Sequence, residues 1–136
     1  MKKSQITAIF QADIKTVWQV VTDHRDVSWR QGIDRVEASP DGKRFTEYNQ
    51  KGQAIEFTIT KVEPYSLYSF SMDHKFFSGF WFGTFSETPE GGTKVVFTEN
   101  IEMKTQWLKM LFTIFMNLPK MQQQYVDDLR KKLGEA

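Results

Sequence analysis

No cysteine occurs among the 136 residues, which excludes disulfides, thiolate metal ligands and a cysteine nucleophile and fits a reducing compartment. Histidine is nearly absent too: His24 and His74 are far apart and show no metal-ligand spacing such as HExxH. Neither charge dominates, since 18 Lys and Arg face 17 Asp and Glu, so no basic field steers the chain toward nucleic acid. Nucleotide and hydrolase signatures are missing as well. There is no P-loop, GxGxxG or GxSxG, and the Gly91-Gly92 pair reads as a hairpin turn. The opening "MKKSQITAIFQAD" has two lysines but no apolar run of signal-peptide length before Gln11 and Asp13, which predicts a cytoplasmic chain. The apolar stretch "WLKMLFTIFMNL" at 107–118 is shorter than the roughly twenty residues a bilayer span needs. The reading expects no metal and no cofactor.

What is abundant is aromatic: 15% of the residues, twelve of them Phe and four Trp. Rings supply buried area to a small core and also line pockets. The length and the lack of a linker or repeat predict one domain over 1–136. "SQITAIF" alternates as a first strand, and "ADIKTVWQVVTD" then places Ile14, Val17, Trp18 and Val21 at helical spacing behind an Asp13 cap. One further turn of helix is expected through "DVSW". Turn signals at 39–43, 50–53, 63–66 and 87–93 separate strands around 33–38, 43–49, 53–62, 67–74, 79–87 and 93–103. Such short connections make antiparallel pairs, because parallel strands need long crossovers. After Thr105 the helical period returns, with Leu108, Leu111, Phe115, Leu118, Tyr125, Leu129 and Leu133 on one stripe. Pro119 should kink or split that run, since it has no N–H to donate.

The predicted order is strand, short helix, six antiparallel strands, long C-terminal helix, an α+β chain whose curved sheet must bury its concave face on that helix. This pattern resembles the START-like (SRPBCC, helix-grip) superfamily, and within it the bacterial polyketide cyclase/dehydrase and lipid-transport group. The resemblance rests on "ITAIFQADIKTVWQVVTD", "WRQGIDRVE", "VEPYSLYSFSM", "ETPEGGTKVVFTE" and the amphipathic C-terminus, none of them a catalytic motif. It implies about seven strands gripping the last helix, with an apolar cavity between them. Family members include carriers of lipids and other hydrophobic molecules, cyclases and co-chaperone-like modules.

Strand parity assigns the walls. Ile55, Phe57 and Ile59 face inward on one strand, and Tyr68, Phe70, Met72 and His74 on the next. In "SGFWFGTF" the family resemblance turns Phe85 inward, and Trp81 and Gly83 share its parity while Phe80 and Phe82 face outward. Val95, Phe97, Ile101 and Met103 carry Glu99 inward with them. A carboxylate on an apolar face is costly unless paired or protonated, so Glu99 is either a polar anchor or proton-transfer group, or a strand-end residue turned to water by a bulge. Arg30 and Arg35 flank Trp29 and are candidate partners for Glu99 or for an acidic ligand.

The expected ligand-binding set is Trp29, Phe57, Tyr68, Phe70, Met72, Trp81, Phe85, Phe97, Glu99, Leu111 and Phe115, with Glu99 the one catalytic candidate. The 107–118 segment reads as a helix wrapped by the sheet, with a cavity wall, a gate or a transient membrane contact as its alternatives. The leading function is binding or carriage of a small hydrophobic, lipid-like or polyketide-like molecule by a monomer or homodimer. A cyclase or dehydratase using Glu99, with His74 or Tyr68 helping, and a protein-interaction module using Phe80, Phe82 and the 107–118 helix are the other readings.

Overall fold

The structure, a computed structural model, describes residues 2–115 and 117–135, the side chains of 112–115 excepted. Seven strands form one sheet: β1 (Lys2–Phe10), β2 (Arg35–Ala38), β3 (Arg44–Tyr48), β4 (Ala54–Glu63), β5 (Leu67–Asp73), β6 (Phe77–Glu87) and β7 (Thr93–Met103). Their order is β1-β7-β6-β5-β4-β3-β2, and every pairing is antiparallel. The meander read from the turns is therefore correct from β2 to β7, and β1 joins it beside the last strand. Gly91, at φ 83°, makes the tight β6–β7 turn that the Gly pair suggested. A bulge between Ile59 and Lys61 interrupts β4 against β5.

Helix α1 (Ile14–Thr22) starts where the Asp13 side chain accepts a hydrogen bond from the Thr16 amide at 2.8 Å. Its Val17, Trp18 and Val21 are buried, as their spacing requires. The C-terminal run divides into α2 (Gln106–Phe115) and α3 (Leu118–Lys132). Asn117 caps α3 by accepting from Lys120, and Pro119 occupies the first turn, where its missing N–H has no helical partner to lose. Pro119 thus splits the run, as expected, and one continuous helix from Leu108 to Leu133 is not what forms.

Helix α3 lies across the inner face against β1. Gln122 is buried there, with its side chain accepting from Ser4 Oγ at 2.7 Å and donating to the carbonyls of Ser4 and Phe97. Past the helix end, the Glu135 carboxylate accepts from the Gln11 and Ala12 amides at 2.7 and 3.1 Å, while Arg130 donates to the Ile9 carbonyl. These bonds fix the helix to both ends of the first strand.

Helix α2 corrects the expectation that the 107–118 segment would be wrapped by the sheet. It touches β7 but leaves Trp107 65% and Met110 56% exposed. A ten-residue helix that meets the sheet along one side leaves its other side to solvent, and Trp107 and Met110 lie there. No helix among the described residues is long and apolar enough to cross a membrane.

Candidate functional site

Between the sheet, α3 and the connection from α1 to β2 lies a cavity of about 450 Å³. Its floor follows strand parity. Phe57 from β4, Tyr68, Phe70 and Met72 from β5, and Trp81 from β6 all line it. Phe97, Glu99 and Ile101 continue the wall along β7, while Leu118, Gln122 and Tyr125 close it from α3. The rings pack against one another. Phe70 stacks on Trp81 with centroids 4.9 Å apart, Trp81 tilts onto Phe97 at 5.2 Å, and Phe97 meets Tyr125 edge-on at 5.5 Å. Gly83 keeps this cluster together: a Cβ there would come within 2.9 Å of both Phe97 and Trp81.

Trp29 lines the cavity from the α1–β2 connection, edge-on to Tyr125 at 5.4 Å, and its indole N–H donates to the Asp26 carbonyl. Two of the eleven expected residues, Phe85 and Leu111, are not brought to the cavity. Phe85 does point inward, but it sits farther along β6 where α1 covers the sheet, and Trp18 meets its ring at 5.0 Å, filling the space. Leu111 is half-buried on α2 and is not among the cavity-lining residues, since that helix lies at the sheet's end. The Phe115 side chain lies outside the described residues. His74 also stays out: it is in the β5–β6 turn, stacked on Phe77 at 4.7 Å.

Glu99 faces the cavity from the middle of β7, paired across the sheet with Ser4 on one side and Trp81 on the other. Strand-end exposure is thereby excluded. Among the described residues its carboxylate makes no hydrogen bond or ion pair, and burial is the main reason its pKa rises from 4.5 to about 7. The Glu47 charge raises it further and the Arg30 charge opposes the shift. Arg30 is committed to Glu47 at 2.7 Å and lies over the Tyr125 ring, 5.2 Å from its centroid. Arg35 is not near this pair; its guanidinium stacks on Tyr48 at the outer edge of the sheet and bonds Glu37.

Sequence reasoning missed a second polar pair. His24 and Tyr68 share a 2.6 Å hydrogen bond, with the His24 ring stacked on Phe45 at 3.9 Å. Burial pushes His24 below its ordinary pKa and raises Tyr68, which keeps both neutral near pH 7. Tyr125 is pushed up to about 12 by burial against the opposing Arg30 charge. The parity that places Phe45 inward carries Glu47 with it, so those two were legible. His24 lies in a loop, where no period assigns a direction. No group of three or more potential metal ligands occurs among the described residues.

The same architecture recurs in solved structures at low sequence identity. A protein from Mesorhizobium loti superposes with a TM-score of 0.77 at 15% identity, covering 98% of this chain and 97% of that one. A conserved protein from Geobacillus kaustophilus gives 0.77 at 11% identity, with 98% and 95% covered. A START superfamily protein from Mycobacterium smegmatis gives 0.69 at 13%, with 96% and 93% covered. At such identities the likeness shows the START-like fold alone. A search of curated proteins finds no match. Residues 1–134 match the model of one sequence family, described as polyketide cyclase / dehydrase and lipid transport, and this chain belongs to that family.

Proposed function

We propose that this protein binds and carries a small hydrophobic molecule in the cavity between the sheet and α3. The observation that carries the reading is a cavity of about 450 Å³ whose sheet wall is a continuous set of packed aromatic rings, with most of the polar side chains that line it already bonded to one another. Rings give apolar contact with little rotamer freedom to lose, which suits a ligand recognised by shape. Cargo exchange would use α2, whose exposed Trp107 and Met110 give an apolar surface suited to transient contact with a bilayer interface. Native mass spectrometry of protein purified without detergent tests the reading: a retained lipid-sized mass supports it. A ligand-free spectrum, together with no binding of apolar fluorescent probes, refutes it.

One observation favours a second reading, an enzyme of the cyclase or dehydratase type. Burial brings the Glu99 pKa to about 7, where one carboxyl can both give and take a proton at neutral pH. Glu99→Gln separates the two. A carrier keeps its affinity for neutral apolar ligands, whereas an enzyme loses roughly a hundredfold or more in turnover.

A further inference from the structure

The charge inventory of the cavity points to the chemistry of its ligand. Four carboxylates line it, Asp23, Glu47, Glu99 and Asp128, against one guanidinium, Arg30. Three of the four already have donors. Glu47 takes Arg30, Asp128 accepts from the Gln31 amide and the Gln124 side chain, and Asp23 accepts from Arg25. Glu99 alone has none among the described residues. His24 and Tyr68 are engaged with each other, and Tyr125 lies under Arg30. Lys2, on the inner parity of β1, is paired with Ile101 across the sheet and is not among the cavity-lining residues. A carboxylate-headed ligand would therefore meet an excess of negative charge, and the one cation among the described lining residues is already neutralised by Glu47.

We propose that the cavity selects an apolar or aromatic amine, its ammonium held by the Glu99 carboxylate, over a carboxylic acid of the same skeleton. This rests on the cavity-binding reading above. A lone carboxylate surrounded by rings suits a single organic cation: the ammonium supplies the missing donor and opposite charge, and Trp81, directly across the strand from Glu99, favours a cation beside it. A bare metal ion would need several oxygen ligands, and only one carboxylate is available. An alcohol or amide of the same skeleton retains the apolar contacts but brings no opposite charge to the carboxylate.

Proton linkage gives the arrangement a signature. The ammonium binds the ionised form of Glu99, so amine affinity follows the ionised fraction of a group titrating near pH 7. Between pH 6 and pH 8 that fraction goes from about one tenth to about nine tenths, and the amine's apparent affinity rises about tenfold. A neutral ligand shows no such rise.

The experiment is isothermal titration calorimetry with three matched probes, 2-naphthylmethylamine, 2-naphthylmethanol and 2-naphthoic acid, at both pH values. The amine is expected to bind at pH 8 at least tenfold tighter than the alcohol, with the acid weakest, and to lose most of its advantage at pH 6. Glu99→Gln removes the amine's advantage over the alcohol at pH 8. If the alcohol binds and the amine is no tighter, or the acid binds best, the selection is overturned while cavity binding stands. Binding of none of the three overturns both. The pH comparison uses the unaltered protein, so it decides the matter whatever the variant's stability.

Discussion

Replacing Glu99 with glutamine should stabilise the protein at alkaline pH and do little at acid pH. Its carboxyl is buried among rings without a donor among the described residues, and burial raises its pKa from 4.5 to about 7. In the unfolded chain it ionises near 4.5, whereas in the fold it holds its proton until about 7. Its contribution is thus fully present below 4.5, falls as pH rises through that interval, and is lost above 7. The displacement corresponds to about 3 kcal/mol, from about 1.4 kcal/mol for each pH unit between the two values. Glutamine has nearly the same shape and no proton to lose, so its variant avoids the decline. For a chain of this size the difference is roughly 10 °C in Tm. Urea unfolding of both proteins at pH 4.5 and pH 8.5 measures it, and taking the difference between them cancels every other titrating group. Parallel stability curves across that window would refute the claim that Glu99 is desolvated.

Other substitutions probe the rest of the cavity. Arg30→Ala leaves Glu47 buried without its cation and should cost about 3–5 kcal/mol in chemical denaturation, and it should also raise the Glu99 pKa further, since Arg30 opposes that shift. Gly83→Ala pushes a methyl toward Phe97 and Trp81, with an expected loss of about 1–3 kcal/mol and weaker apolar-probe binding. His24→Ala strips Tyr68 of its partner and should cost about 1–3 kcal/mol; an unchanged Tm would mean that the tyrosine hydroxyl finds water instead. Trp107→Ser should leave stability within about 0.5 kcal/mol, because the ring is largely exposed, while reducing cosedimentation with lipid vesicles.

The sheet was legible because strand period and turn chemistry are local. "ETPEGGT" and "EPYS" mark reversals wherever they stand, and alternation then sends Phe57, Phe70 and Phe97 to one face. Parity also carried Glu99 inward, although its lack of a partner depends on where Arg30 goes. That depends on Glu47, a residue 17 positions away in sequence. Phe85 shows the limit of parity: it gives the face but not what covers that face, and here α1 had already taken the place. The α2 segment misled for a related reason. Nine apolar residues in twelve describe a helix that prefers burial, but they do not show whether any surface remains to receive it.

The pairing of β1 with β7 bears on how the chain assembles. Lys2 meets Ile101 and Phe10 meets Thr93, so the first strand has no sheet partner until almost a hundred residues have been laid down. Gln122 and Glu135 then reach back to Ser4 and Gln11 across still greater separations. Contacts this distant require loop-closure entropy to be overcome before any of them forms, which slows folding into the millisecond-to-second range common for such topologies. The hairpins from β2 to β7 have no such delay. A nascent chain therefore holds an open, aromatic half-sheet until its last helix arrives, and in that interval its inner face is exposed to any hydrophobic surface it meets.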